Sequence, residues 1–326
     1  MKLILSTSNI MGAVSSFRPI TNSKSNAEFV NSLRASLEAN YSIATSENVN
    51  GNGHAARLTY PSWTQMTEAG LEIPALDFSE SALQEERDQY DITLKLFYLP
   101  GASIEDRGKQ TREAVNLVLK ELHMPSIDLL IVSFPGVYFD EEEKCPDKIS
   151  TRGPIEAEPE PIESQIKTWA TLETLKDEGI VKRLGIAEFG HDRLANFLDR
   201  TRIPPSVDQV NLRDCCSVPR DLLKLAKGRN IELLVHNDCS NILPRGTLRE
   251  LLGSGPSGAH VLSGSAKTGE KRKSLHGEPV TNGHADKPLD GEVQPLWVVK
   301  YTAVVRNRGV VENKGYFAMA EFTNDS

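Results

Sequence analysis

The stretch from Val207 to Asp238 constrains the fold most, because it has the pattern of a strand, a loop, a helix and a second strand. A helix is predicted from Pro219 to about Gly228. Proline suits the first turn because the N–H that it lacks would have no partner within the helix there. Ile231 to Val235 is a nearly continuous apolar run, which is typical of a strand buried on both faces. A unit of this kind belongs to a parallel sheet covered by helices.

Composition limits the classes of protein to which the chain can belong. Its 326 residues suffice for one large barrel domain. Its net charge of −8 argues against nucleic acid as the main partner. The apolar run Leu3–Leu5 is too short for a signal peptide, and no stretch is long enough for a membrane span, so we expect a cytoplasmic protein without a membrane partner. Four cysteines are too few for a disulfide scaffold and fit a reducing compartment: Cys145, Cys215, Cys216 and Cys239.

Strand patterns alternate with helical patterns along most of the chain. The predicted strands include 3–8, 92–98, 127–134 and 180–187. This alternation predicts an α/β fold, and a (β/α)8 TIM barrel is the architecture that it favours. An open doubly wound sheet is the alternative, although no glycine-rich turn follows the first strand, as that fold would require.

Two polar segments interrupt the pattern within a single domain spanning residues 1–326. Residues 136–161 are acidic and rich in proline, which indicates a solvated loop. Residues 253–294 contain few large apolar side chains, so we expect a disordered insertion there. After it, Leu296, Val299 and Ala303 have helical spacing, and Val310 to Tyr316 suggests a last strand.

Several short motifs carry a resemblance to a known family. They are QVNL (209–212), Cys215–Cys216, HND (236–238), PLW (295–297) and KGY (314–316). Together they resemble the regulatory, or modifier, subunits of glutamate–cysteine ligase, which are non-catalytic relatives of the aldo-keto reductases. The resemblance implies an aldo-keto reductase type of barrel and a heterodimer with the catalytic ligase subunit. It also implies better use of glutamate and weaker feedback inhibition by glutathione in glutathione synthesis.

The same comparison tests whether a reductase site remains at the strand ends. Lys95 in TLKLF is similar to the lysine of the reductases, and Gln209 is kept. Ser133 falls where reductases have a histidine, and Glu188 falls where they have an asparagine that holds the nicotinamide amide. His236 falls where a tyrosine would stack on the nicotinamide ring. A serine cannot replace an imidazole, and a carboxylate only accepts hydrogen bonds. We therefore predict a vestigial reductase site without catalytic residues.

Other family positions lead to the same prediction. Asn313-Lys314-Gly315 stands where the reductases grip the cofactor phosphate, and no convincing Asp and Tyr pair occurs between residues 38 and 65. We therefore expect no cofactor. The histidines of the polar insertion lack the spacing of metal ligands, so we also expect no metal.

Two of these positions, and the cysteine pair, admit plainer interpretations. Lys95 can be a buried lysine paired with a carboxylate, since one lysine makes no acid–base system. His236 can be a hydrogen-bonded residue at the end of a strand. Cys215 and Cys216 can be packing residues, or they can form a redox-sensitive contact with a partner, because they precede a helix N-terminus that lowers a thiol pKa.

Three hypotheses for function follow. The first is a non-catalytic regulatory subunit of glutamate–cysteine ligase. The second is an active NADPH-dependent aldo-keto reductase with an unusual site, and the substitutions at Ser133 and Glu188 argue against it. The third is a barrel scaffold for another protein partner, which only the family motifs separate from the first.

Overall fold

A computed structural model describes residues 1–11, 25–47, 60–79, 82–139, 157–212, 217–238, 241–255, 258–263 and 287–324. The strands are β1 (Lys2–Ser6), β2 (Gln65–Thr67), β3 (Gly70–Ile73), β4 (Tyr90–Tyr98), β5 (Ile127–Ser133), β6 (Val181–Ala187), β7 (Val207–Val210), β8 (Glu232–Val235), β9 (Gly291–Val305) and β10 (Val310–Asn324). The α-helices are α1 (Ser25–Glu47), α2 (Arg107–Leu122), α3 (Ile162–Asp177), α4 (His191–Leu198), α5 (Arg220–Gly228) and α6 (Thr247–Leu252). Within these ranges no helix is both long and apolar enough to cross a membrane.

The strands form one ten-stranded sheet in the order β2-β3-β1-β10-β9-β4-β5-β6-β7-β8. From β4 to β8 every neighbouring pair is parallel, and α2, α3, α4 and α5 connect these strands in turn. The α/β class and the aldo-keto reductase type are thereby confirmed, as is the strand–helix–strand unit between Val207 and Asp238. The regular β/α repeat covers β4 to β8, and the described sheet has ten strands where a plain barrel has eight.

The last two strands form a long antiparallel hairpin that is inserted between β1 and β4. The prediction of a helix through Leu296, Val299 and Ala303 was therefore wrong. Those three residues have helical spacing, but the residues between them are also large, apolar and buried, as Trp297 and Val298 show. A segment that is apolar on every side and rich in β-branched residues fits a central strand that is covered on both faces.

Two apolar clusters cover opposite faces of the sheet. Along β4, Leu96 belongs to the cluster shared with α2 to α5, whereas its neighbour Phe97 belongs to the cluster shared with α1 and α6. Successive side chains of a strand point to opposite faces, so this alternation follows from the pleat. Helix α1 packs an apolar face against the sheet, since Phe29, Leu33 and Leu37 are all buried in the second cluster.

The structure shortens the polar insertion predicted at residues 253–294. Ala259, Val261 and Leu262 are buried in the cluster of α1 and α6, and β9 already begins at Gly291. Residues 264–286 lie outside the described residues. The same is true of residues 140–156, which make up most of the acidic loop predicted at 136–161.

Strand β8 is not buried on both faces, and that expectation was wrong. In the described part of the chain β8 pairs with β7 alone and ends the sheet. Val235 is 59% exposed, and Leu233 and Leu234 are only partly buried. The apolar run therefore belongs to an edge strand. The prediction failed because a hydrophobic sequence alone does not distinguish a central strand from an uncovered edge.

Candidate functional site

The ends of the strands bring three of the sequence-predicted residues together. Lys95 on β4 and His236 after β8 contact each other and Asp238. Glu188 after β6 contacts His236, and Lys300 on β9 contacts Asp238. We call these five residues the strand-end cluster. Parallel strands place their carboxyl ends at one edge, which explains why residues so far apart in sequence meet there. Lys300 arrives from the inserted hairpin.

Asp238 lies between the two lysines of the cluster. Its Oδ2 is 3.1 Å from Nζ of Lys95, and its Oδ1 is 2.9 Å from Nζ of Lys300. Lys95 and Lys300 stand directly opposite each other in the β4–β9 pairing, where two like charges repel. Burial alone would raise the pKa of the Asp238 carboxyl, but the charges of Lys95 and Lys300 hold that pKa well below its usual range. Asp238 is therefore an ionised bridge between two cations.

His236 connects this bridge to Glu188. Its Nδ1 accepts the backbone N–H of Asp238 at 3.0 Å, and Nζ of Lys95 lies 3.2 Å from the same nitrogen. A neutral ring that accepts at Nδ1 carries its proton at Nε2, and Nε2 lies 2.5 Å from Oε1 of Glu188. The interpretation of His236 as a hydrogen-bonded residue at a strand end agrees with these contacts.

Glu188 is held from two sides. Its φ of +70° is in the left-handed region, which is uncommon for a residue other than glycine. The backbone N–H of Glu188 donates to the carbonyl of Gln209 at 3.0 Å, and its Oε2 accepts the backbone N–H of Phe139 at 3.0 Å. These bonds fix the carboxylate beside the imidazole, although the local backbone conformation is an unfavourable one.

Lys95 is buried, with 5% of its side chain exposed. Burial lowers the pKa of its ammonium group, and the charges of Asp238 and Glu188 oppose that shift. The ammonium also lies 5.2 Å from the centre of the Phe97 ring, within the range of a cation–π interaction. Lys95 is thus a buried lysine paired with a carboxylate, which is the plainer of the two interpretations that the sequence offered.

The other predicted positions are placed differently. Ser133 ends β5 and is buried opposite Phe97, and Gln209 lies on β7 between Ala187 and Leu234. Gln209 reaches the strand-end cluster through its backbone carbonyl, which accepts from Glu188. Cys215 and Cys216 lie outside the described residues, so their role stays a prediction.

The sequence analysis missed Asp238 as the partner of Lys95, and Lys300 as the second cation that Asp238 contacts. A signal existed for Asp238, because it follows His236 at the two-residue spacing that places side chains on one side of an extended chain. Lys300 is a lysine within an apolar strand, VVKYTAVV, and such a residue needs a partner of opposite charge. The mistaken helix in that segment concealed its position next to Lys95.

Asp208 is a further buried acid that the sequence analysis did not single out. It lies on β7, is fully buried and accepts one backbone N–H, from Phe189, at 3.4 Å. Burial raises the pKa of Asp208 well above its usual range, and the neighbouring charge of Glu188 raises it further. Burial and the neighbouring charge therefore both disfavour the ionised form of Asp208.

A second polar group ties the helix α1 to β10. Glu28 accepts from Nζ of Lys314 at 2.8 Å and from the hydroxyl of Tyr316 at 2.6 Å. Burial raises the pKa of Glu28, but the bonds from Lys314 and Tyr316 outweigh it and lower that pKa overall. Lys314 is the lysine at the family's phosphate position, and here its ammonium is paired with a carboxylate of the same chain.

These contacts pair the charged groups of the strand-end cluster with one another. Asp238 contacts both Lys95 and Lys300, and Glu188 faces the imidazole of His236. Within the described ranges no group of three or more His, Cys, Asp or Glu residues is arranged to hold a metal ion. The arrangement is suited to holding β4, β6, β8 and β9 together.

Comparison with known proteins agrees with this fold. The model of the aldo/keto reductase family matches residues 73–249, which is more than half of the chain. The glutamate–cysteine ligase regulatory subunit of Homo sapiens is 25% identical over 251 residues, which are 77% of this chain and 73% of that protein. A protein of Schizosaccharomyces pombe carries the same name in provisional form and is 26% identical over 74% of this chain and 75% of its own length.

A solved aldose reductase from Schistosoma japonicum is similar over a shorter part. It is 24% identical, with a TM-score of 0.33, and the match covers 45% of this chain and 46% of that one. The family assignment rests on the family model, which spans β4 to β8 and the helices between them. This chain belongs to the aldo/keto reductase family.

Proposed function

We propose that this chain is a non-catalytic regulatory subunit that binds the catalytic subunit of glutamate–cysteine ligase. The observation that carries the proposal is the similarity, over about three quarters of the chain, to proteins named as regulatory subunits of that enzyme. The proposal includes better use of glutamate by the catalytic subunit and weaker inhibition by glutathione. In this proposal the chain acts by contacting its partner protein and catalyses no reaction itself.

The strand-end cluster supports a non-catalytic role. A reductase needs a group that gives a proton to the carbonyl, and its pKa must suit the transfer. Here Lys95 is engaged by Asp238 and faces His236, and Ser133 occupies the position of the family's histidine. With these partners in place, Lys95 could give a proton to a carbonyl substrate only by breaking its buried ion pair with Asp238.

The residues present do not fit a nicotinamide cofactor. A nicotinamide amide requires a partner that both donates and accepts, whereas a carboxylate at position 188 only accepts. Its two oxygens already face the N–H of Phe139 and the ring of His236. The lysine at the phosphate position, Lys314, is paired with Glu28. These contacts favour a chain that works without a cofactor.

Regulation by binding requires only a modest energetic preference. A partner that exists in two states shifts toward the state to which the regulatory chain binds more tightly. A preference of about 1.4 kcal/mol moves that equilibrium tenfold. The surface of this chain could provide that difference in binding free energy without any reaction of its own.

Kinetics of the catalytic subunit test the proposal. Adding the purified chain is expected to lower the KM for glutamate and raise the glutathione concentration needed for inhibition, by several fold to about tenfold for the preference above. The matched control is bovine serum albumin at equal concentration. Both kinetic parameters unchanged at saturating chain would reject the proposal.

The chain alone is expected to show no oxidation of NADPH or NADH with a panel of aldehydes. The physical reason is the occupied environment of Lys95 and Glu188 described above. The control is an active aldose reductase assayed in parallel. Turnover that depended on Lys95, lost in Lys95→Met, would instead establish an active reductase.

A further inference from the structure

The outer edge of β8 offers backbone groups for pairing with another strand. The N–H of Glu232 donates to Ser206 and that of His236 donates to Val210, both toward β7. Alternate residues of a parallel strand direct their hydrogen bonds to opposite sides, so the N–H and C=O groups of Leu233 and Val235 face away from β7. In the described sheet, no strand lies on that side.

The edge has only some of the features that keep sheet edges apart. Natural edge strands are very short or carry charged residues, proline or a bulge that prevents pairing with another chain. The segment from Glu232 to Val235 has four residues and one charge, Glu232, which pairs with Arg183, but it contains no lysine or proline and its pairing with β7 is regular. Val235 is 59% exposed, and Leu223 on the adjacent helix α5 is 47% exposed. The edge is therefore apolar as well as open.

The chain's own remaining segments are poor candidates for covering this edge. The longest stretch outside the described residues, 264–286, has Leu275 and Val280 as its only large apolar residues. Residues 140–156 are acidic and contain two prolines, and residues 48–59 are rich in glycine and asparagine. Residues 12–24 hold Val14, Phe17 and Ile20 but are interrupted by Pro19, and the stretches 213–216 and 239–240 are four and two residues long. None of these stretches has the alternating apolar pattern of a strand, which favours a covering strand from another molecule.

We propose that an extended strand of the catalytic subunit adds to the sheet along the outer edge of β8. This inference rests on the proposed function and names the surface through which it acts. Main-chain hydrogen bonds to Leu233 and Val235 would provide affinity, and alternate side chains would provide specificity. The arriving strand needs apolar residues at every second position to cover Val235 and Leu233, which share one face of β8.

Amide hydrogen exchange of the two outward N–H groups gives the most specific test. In the isolated full-length chain the amides of Leu233 and Val235 are expected to exchange rapidly. In the complex with the catalytic subunit their exchange is expected to slow by about a hundredfold or more, as for amides in a stable ladder. The amide of Glu232, which already bonds to β7, serves as an internal control.

Substitutions at Val235 test the surface by affinity. Val235→Lys introduces a charge at the edge and is expected to weaken binding by about tenfold or more. Val235→Pro removes only an N–H that faces outward, so it should weaken binding while the pairing with β7 persists. Val235→Thr, a strand-forming residue, should bind like the wild type. The matched control is Met66→Lys on β2, because Met66 is 61% exposed at the opposite end of the sheet.

The outcomes separate this inference from the proposed function. If the wild-type chain forms no complex, the proposed function fails. If the wild type binds but Val235→Lys and Val235→Pro, each folded by circular dichroism, bind equally well, only the edge proposal fails. Protection of both amides in the isolated chain would also overturn it, whether a second copy (shown by concentration dependence) or the chain itself covers the edge.

Discussion

Replacing Asp238 by leucine is expected to lower the free energy of unfolding by about 3 to 5 kcal/mol, the range for removing one partner of a buried ion pair. Asp238 bridges Lys95 and Lys300, and Lys95 is only 5% exposed. Without the carboxylate, a buried ammonium would face another ammonium directly across the β4–β9 pairing. Urea denaturation followed by circular dichroism measures the change.

A double variant separates the lost pairing from the lost volume. Lys95→Met together with Asp238→Leu removes the most deeply buried pair and leaves Lys300, whose side chain is 23% exposed, to water. Most of the lost stability should return, because apolar side chains of similar volume often replace buried pairs without loss. Equal destabilisation in the single and double variants would show that the ion pair is not the cause.

The same carboxylate makes the folded state sensitive to acid. Although burial opposes ionisation, Lys95 and Lys300 lower the pKa of Asp238 below its value in the unfolded chain, which is about 3.9. The folded state therefore binds fewer protons at this site. Its contribution to stability is present above that unfolded value and disappears as the pH falls through the folded pKa.

Replacing Asp128 by leucine is expected to lower the free energy of unfolding by about 2 to 4 kcal/mol, which combines a lost charge partner with an unsatisfied backbone donor. At the start of β5, Asp128 accepts from Arg87 at 2.7 Å, from Lys182 and Arg306 at 2.9 Å each, and from the buried N–H of Ile92 at 2.8 Å. This carboxylate links β4, β5, β6 and the β9–β10 turn. Lys182 and Arg306 are about half exposed, so solvent screening reduces the loss of stability.

Asp177→Leu is the matched control for Asp128→Leu in the same denaturation experiment. Asp177 pairs with Arg202 at 2.6 Å, but both side chains are more than half exposed. An exposed pair contributes between about 0 and 1 kcal/mol. Comparable losses in the two variants would contradict the role assigned to Asp128.

The sequence was sufficient where local patterns decide the structure. The unit from Val207 to Asp238 has the predicted strand, helix and strand. The residues that begin and end its helix, Pro219 and Gly228, and the spacing of its apolar residues are local signals. The structure brings Lys95, Glu188 and His236 together, with Lys95 inside β4 and the other two just after β6 and β8. These are features that a strand–helix repeat dictates within a few dozen residues.

The sequence was insufficient where distant pairing decides. The segment around Val299 satisfies helical spacing, and only its neighbours β4 and β10 make it a strand. Consequently Lys300 could not be placed opposite Lys95 before the hairpin was known. The exposure of Val235 was equally hidden, because the number of strands beyond β8 is a property of the whole sheet.

Size-exclusion chromatography with light scattering, on an equimolar mixture with the purified catalytic subunit of glutamate–cysteine ligase, tests the regulatory role most directly. The proposal predicts a single peak whose mass equals the sum of one copy of each chain. Two separate peaks at the masses of the isolated proteins, at concentrations of about 10 μM where a specific complex should persist, would contradict it.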